Sequence, residues 1–267
     1  MKEIPFPDGV IHLEIFVGSV GKERAIDTVD GRPGVVDYGF NYTDRPVSLF
    51  LRIKAADAAD FRLLRNEVFA TFDVGSAFYV AESDVPSRVL KVVVDESYIP
   101  DRLTEEYADF DINCRTLDSV FWESKYTTLE LHDSGYAHSA EKYGLVDNID
   151  DEKVQYRFTE SNFTVYNAGN VTVEPESMYL RIIASEVTSS TNFTIRNKTT
   201  GDEFVLKRES NGSHVRLIGM IPSMGSLTNI FRDTNRRFIR LAPGDNEFEV
   251  LNGTFTEINF DFKKYYK

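Results

Sequence analysis

From Val154 to Lys267 the chain is written in short stretches of alternating apolar and polar residues, roughly one every 8–12 positions. That spacing points to an all-β sandwich before any other fold. The stretches fall at 163–166, 171–173, 179–183, 192–196, 203–206 and 214–218. Asn167-Ala-Gly-Asn170, Thr199-Thr-Gly-Asp202 and Asn211-Gly212 read as the turns between them. The run closes with Phe238-Ile-Arg-Leu-Ala-Pro-Gly-Asp-Asn-Glu-Phe-Glu-Val250 and then Thr254-Phe-Thr-Glu-Ile-Asn-Phe-Asp-Phe262. Pro243-Gly244-Asp245-Asn246 predicts a turn: proline presets φ, glycine supplies a positive φ, and Asp and Asn bond nearby backbone. Asn252-Gly253 predicts the next one. The alternating Phe residues read as core, and the segment leaves no evident place for a catalytic loop.

The front half is also mostly β. Residues 10–17, 47–53, 78–81, 88–95 and 107–115 read as strands, and 24–44 reads as a long hairpin around Gly31-Arg-Pro-Gly34. One helix is expected at 56–72, where Phe61, Leu64, Val68 and Phe72 recur at spacings of three and four. Asp57 is placed to cap it, Asp60 lies in its first turn, and Asp73 and Gly75 mark its end. Residues 119–152 break the pattern. The division expected is therefore a β domain over 1–122, an acidic linker over 123–152 and a β-sandwich over 153–267. Trp122, the only tryptophan, is expected to pack against a domain edge.

Charge and rare residues exclude several classes. The net charge of −13 is uneven: −9 over 1–120, −6 over 121–152 and +2 over 153–267. A nucleic-acid binder needs a basic stripe, which this balance does not supply. The exception is a local cluster at Arg232, Arg236, Arg237 and Arg240. The single Cys114 excludes an intramolecular disulfide and a Cys-rich zinc site, and is expected to be buried. His12, His132, His138 and His214 lie far apart, in no metal-ligand spacing. No nucleophile elbow, phosphate loop or dinucleotide fingerprint occurs. Asn148-Ile-Asp-Asp-Glu152 lacks the Gly at position 6 and the Glu at position 12 of an EF-hand and reads as a solvated acidic run. Residues 1–8 show no apolar signal core, and no run approaches the roughly 20 apolar residues of a membrane helix, so intracellular synthesis is expected. The Asn-x-Ser/Thr triplets at Asn41, Asn162, Asn170, Asn192, Asn197, Asn211 and Asn252 are then expected to carry no glycan. No catalytic, cofactor-binding or metal-binding residue is assigned, and the expectation is a protein without enzymatic activity.

Two blocks carry a family resemblance. In the front half, Arg45-Pro-Val-Ser-Leu-Phe-Leu-Arg-Ile-Lys leads into Asp60-Phe-Arg-Leu-Leu-Arg-Asn-Glu-Val-Phe-Ala-Thr-Phe, followed by Ala77-Phe-Tyr-Val and Arg88-Val-Leu-Lys-Val-Val-Val. In the back half, Asn162-Phe-Thr-Val-Tyr-Asn-Ala-Gly-Asn-Val-Thr-Val-Glu-Pro175, Ile195-Arg-Asn-Lys-Thr-Thr-Gly-Asp-Glu-Phe204 and Leu241-Ala-Pro-Gly-Asp-Asn-Glu-Phe follow in order. Order and spacing together resemble the distal tail protein (Dit) family of long-tailed bacteriophages.

The resemblance implies an N-terminal β-sandwich with one helix and an extended hairpin, six copies of which close into a ring, and a galectin-like C-terminal sandwich outside it. It implies a virion protein of the tail tip that joins the tail tube to tail-tip proteins around a channel for DNA. The implied partners are further copies of the chain, the tube and tape-measure proteins, a tail-associated lysin or fibre, and receptor-binding proteins. Residues 24–44 are the expected ring arm. The alternative from the residues is a carbohydrate-binding module, which would need an exposed aromatic platform. With no Trp in 153–267, Tyr156, Tyr166 and Tyr179 are the tyrosines to weigh, and their strand positions read as core or edge.

Overall fold

A computed structural model describes residues 4–72, 75–134 and 147–267 of the chain. The chain forms two compact units, Met1–Glu82 with Leu90–Val120, and Ser83–Val89 with Phe121–Lys267.

The first unit is built from strands β1 (Val10–Val17), β2 (Gly21–Thr28), β3 (Val35–Thr43), β4 (Val47–Lys54), helix α1 (Ala58–Phe72), β5 (Phe78–Val80), β6 (Arg88–Val94), β7 (Asp101–Arg102) and β8 (Tyr107–Thr116). Its antiparallel sheet runs β1-β4-β8-β6, with β5 on β6 and β7 on β8. Val47, Leu49, Leu51 and Ile53 of β4 are buried and stand opposite Cys114, Ile112, Phe110 and Ala108 of β8, so one face of the sheet is continuously apolar. Helix α1 covers that face with Phe61, Leu64, Val68 and Phe72, the residues its periodicity selects. Each such side chain contributes roughly 1.5–3 kcal/mol when fully buried. Tyr98 wedges between the layers, stacked on Phe110 at 5.8 Å and edge-on to Phe69 at 5.5 Å. Asp57 caps the helix as expected: its Oδ1 accepts from the N–H groups of Ala59 and Asp60, both at 2.8 Å. Those bonds hold its carboxyl below the usual carboxylate range. The expected stop at Asp73 lies outside the described residues.

The second unit contains β9 (Trp122–Ser124), α2 (Thr128–Ser134), β10 (Arg157–Phe158), β11 (Asn162–Asn167), β12 (Leu180–Ser189), β13 (Phe193–Asn197), β14 (Asp202–Leu206), β15 (Ser210–Ile218), β16 (Ile221–Met224), β17 (Thr228–Asn229), β18 (Gly244–Leu251), β19 (Glu257–Phe262) and β20 (Tyr265–Tyr266). Two antiparallel sheets, β10-β19-β12-β15-β16-β17 and β11-β18-β13-β14, face each other across an aromatic core. Phe260 of the first sheet lies 4.8 Å from Phe248 and 5.7 Å from Phe163 of the second, and Phe158 stacks on Phe163 at 4.3 Å. The molecule is mainly β, as the alternating pattern requires.

Several boundaries differ from the sequence reading. Residues 171–173 and 238–242 form no strands and meet only in the single bridge Val173↔Leu241. Asp245 and Asn246, expected in a turn, already pair with Tyr166 and Val165 in the β11–β18 ladder. The corner is instead made by side-chain bonds. Asn246 Oδ1 accepts from Ala242 N–H at 2.9 Å, and its Nδ2 donates to Ala242 O at 2.8 Å.

The segment expected as a linker, 123–152, is structured at both described ends. At one end β9 pairs with β20, putting Trp122 opposite Tyr266 and burying it. The Thr128 hydroxyl donates to Phe260 O and accepts from Phe262 N–H, both at 3.0 Å. These partners lie more than 130 positions away, beyond any local periodicity. Residues 83–89 join the same unit, where Arg88 and Val89 pair with Ser124 and Glu123. Gly135, His138 and Gly144 lie outside the described residues.

Candidate functional site

The hairpin β2–β3 is the feature of the first unit that its own packing does not explain. It forms a two-stranded sheet by itself, and nearly all its side chains are exposed. Its register slips between Arg24/Ile26, where Gly39 adopts φ 103°, a conformation only glycine takes readily, and donates its N–H to Asp37 Oδ1 at 2.9 Å. Arg24 pairs with Asp37 across the two strands. On one face Lys22 Nζ and the Arg24 guanidinium stand 5.1 and 5.7 Å from the Phe40 ring, which meets Tyr42 edge-on at 5.2 Å. Tyr38 is 67% exposed and Ile26 58%, with Val29 and Val35 also open at the tip. A two-stranded ribbon is marginal in water, and apolar side chains in this density mark an interaction surface.

Strand β1 adds a second unsatisfied element. It is the edge of the main sheet, and it exposes Ile11, Leu13 and Phe16. An edge strand leaves a row of backbone donors and acceptors that natural proteins cover or blunt. The expected arm at 24–44 thus coincides with a real ribbon at 21–43, next in sequence to an open edge.

The other residues weighed from the sequence make contacts within the chain. Cys114 is buried, and burial pushes its thiol up to about 12, far from a reactive thiolate. His12 stacks on Phe6 at 6.1 Å, and His132 Nδ1 lies 3.4 Å from Val154 O. Among the described residues no group of three His, Cys, Asp or Glu could hold a metal, and no helix is long and apolar enough to cross a membrane. The acidic run is partly consumed locally, since Asp150 accepts from Glu152 N–H at 3.1 Å. The tyrosines weighed as sugar platforms are engaged: Tyr156 is buried with its hydroxyl donating to Tyr166 O, Lys153 sits 5.1 Å over the Tyr166 ring, and the Tyr179 hydroxyl donates to Asp261. Of the three only Tyr166 lines an open pocket of about 530 Å³, with Lys153, Gln155, Glu160, Asn162 and Phe163 among the other walls. Phe163 is stacked between Phe158 and Phe248, so it offers the pocket an edge and not a face.

One buried ionic group in the second unit has a pH consequence. Lys264 is 3% exposed and Asp147 is also buried. Arg88 Nε lies 2.7 Å from Asp147, the Arg88 guanidinium stacks 3.7 Å from the Tyr266 ring, and the Tyr266 hydroxyl donates to Asp147 O. Burial pushes the Lys264 ammonium down from 10.5 to about 8; Arg88 acts in the same direction and Asp147 against it. Between about pH 8 and 10.5 the unfolded chain holds this proton and the folded chain does not, so stability rises with pH across that window by at most roughly 3 kcal/mol. Lys264→Met is expected to stabilise the second unit at pH 7 and to flatten the rise, as read from melting curves at pH 7 and 10. A variant less stable at pH 7 with the rise intact would contradict this reading.

Comparison with known proteins agrees with this architecture. Residues 13–114 match the family model described as phage tail protein RIFT-related domain. No curated protein matches the chain in sequence. Among solved structures, the Dit protein of phage SPP1, described as a paradigm of the hub adsorption apparatus in phages infecting Gram-positive hosts, superposes with a TM-score of 0.68 at 14% identity, over 96% of this chain and 94% of that one. The baseplate of phage P2, in its activated conformation with Ca, matches at a TM-score of 0.42 and 9% identity, over 96% of this chain and 90% of that one.

The match to the phage tail protein model thus falls on the N-terminal unit, from β1 to β8. The chain as a whole has the fold of a distal tail protein, in agreement with the Dit resemblance of its two sequence blocks.

Proposed function

We propose that the chain is the structural hub of a phage tail tip. In this reading six copies close into a ring through their N-terminal units, the C-terminal sandwiches, of galectin-like type, lie outside, and DNA passes through the central channel without specific binding. The hub joins the tail tube to the tape-measure, lysin or fibre and receptor-binding proteins of the tip, and it works by assembly and not by catalysis. The observation that carries this is the β2–β3 ribbon: it has exposed apolar side chains on an otherwise unsupported sheet, and it follows in sequence the open edge strand β1. A ribbon that leaves one copy to cover the next makes a head-to-tail contact, and such contacts close into a ring when the rotation between copies closes. The acidic front, −9 over residues 1–120, suits a channel wall because like charge keeps phosphates from adhering.

Native mass spectrometry of the purified chain with electron microscopy tests the proposal. The expected result is a six-fold ring with a pore wide enough for duplex DNA. A monomer that binds wall polysaccharide would overturn it in favour of a carbohydrate module, a reading the stacked Phe163 and covered Tyr166 do not favour.

A further inference from the structure

Among the described residues of the second unit, the exposed large apolar side chains are Tyr126, Ile218, Met220, Ile221, Leu227 and Phe231, so all but Tyr126 fall within 218–231. They decorate β16 and its two turns. Ile218 pairs with Ile221 around Gly219-Met220, and Met224 pairs with Thr228 around the turn that carries Leu227. The Ile230 N–H donates to Pro222 O at 3.1 Å and so brings Phe231 beside β16. Strand β17 ends the six-stranded sheet. Ile221 is 60% exposed and Leu227 67%. Single exposed apolar residues are ordinary; this many on one hairpin mark a contact surface.

Backbone strain falls in the same place. Among the described non-glycine residues with positive φ, Asp118, Asn148, Asn192 and Asn252 are types that tolerate it, and Glu186 sits where the β12 register shifts. The other two, Leu227 at φ 69° and Arg236 at φ 57°, both belong to this surface. The second observation is charge. Arg208 pairs with Asp233 at 3.3 Å and Arg240 with Asp202 at 3.0 Å. Arg232, Arg236 and Arg237 are exposed and have no carboxylate in ion-pair range among the described residues. The Arg236 guanidinium lies 6.0 Å from the Phe231 ring, which stacks on Phe238 at 6.2 Å.

Arginine and aromatic side chains around an apolar centre are the composition of protein interfaces, where arginine forks bind carboxylates bidentately. A phosphate polymer would use the arginines but leave the five apolar side chains in water. We infer that the β16–β17 edge, with Phe231 and the arginines at 232, 236 and 237, docks an acidic segment bearing apolar side chains, presented by a different protein of the tail tip. The inference rests on the tail-tip reading above.

The test uses the full chain in assembled tails, with the photo-cross-linker benzoylphenylalanine placed at position 220 or 227. Irradiation is expected to give an adduct to a second protein within a net-acidic segment. The yield is expected to fall at least tenfold in the triple variant R232E/R236E/R237E and to recover with lysine at the three positions, melting temperature unchanged. Adducts only between copies of the chain, an adduct to a basic segment or to nucleic acid, or no adduct in tails that contain the chain, each overturn the docking surface and leave the hub standing. Tails that lack the chain altogether overturn both.

Discussion

Removal of residues 27–40 is expected to leave a folded monomer in place of the rings that the proposed hub requires of the full chain. The deletion joins Ile26 to Asn41, close to the Glu23↔Asn41 pair at the base of the ribbon, so the chain can close with a short loop. It takes away Val29, Val35, Tyr38 and Phe40 and leaves the β1-β4-β8-β6 sheet and α1 intact. Because β2 and β3 pair only with each other, the rest of the unit should melt as before. Burying one large apolar side chain contributes roughly 1.5–3 kcal/mol, so losing several at each contact exceeds what a modest interface can spare. The point variant I26S/Y38S is the milder form and should weaken rings by orders of magnitude in concentration without unfolding the chain. Native mass spectrometry reads both, and hexamers persisting in the deletion variant would remove the ribbon from the interface.

The second large effect is expected at Asn246, whose side chain is fully buried. Its Oδ1 accepts from Ala242 N–H and from Asn197 Nδ2, and its Nδ2 donates toward the carbonyls of Val165, Ala242 and Gly244. Asn197, equally buried, donates to Arg240 O and accepts from Thr199 N–H; Asn167 donates to Leu241 O and accepts from Gly169 N–H. Asn246 and Asn197 thus hold two turns to one corner, with Asn167 reaching the same 240–242 segment. Asn246→Ala strands two buried donors as well as the carbonyls, each donor worth about 1–3 kcal/mol, so the second unit should lose about 4 kcal/mol. Asn246→Asp keeps the shape but puts a carboxylate where a donor is needed, and should recover little. Chemical denaturation followed at Trp122, which lies in this unit, measures it. A loss below about 1 kcal/mol would mean that water replaces the network.

The same corner shows why local signals carried only part of the fold. Asn167 and Asn246 were legible as turn residues because Asx side chains bond nearby backbone, and Asn197 stands two positions before the turn read at Thr199. That their side chains bond across to other turns depends on a sandwich already closed. Gly169 is similar: it reads as a turn glycine, yet a Cβ there would come within 2.6 Å of Tyr265 O, a strand nearly a hundred positions away. The buried stripe and N-cap of helix α1 were legible because Phe61, Leu64, Val68, Phe72 and Asp57 act within one element, although the helix starts at Ala58 and not at 56. Helix α2 and strand β9 were not, because Trp122 and Thr128 are placed by β20 and β19. Residues 238–242 alternate like a strand but have only one bridge partner, which periodicity cannot report.

For function the division is sharper. The sequence by itself determined a mainly β chain with one amphipathic helix, no metal or nucleophile spacing, an acidic front, and an ordered set of motifs resembling a phage tail family. These follow from composition and short-range periodicity, which act within a few residues. The tertiary structure alone decided which apolar side chains remain in water. Phe248 and Phe260 alternate in sequence much as Phe40 and Tyr42 do, yet the first pair closes a core and the second stands on an isolated ribbon. Alternation says that a strand has an apolar face; only the packing of distant strands says whether this chain covers it or leaves it for another.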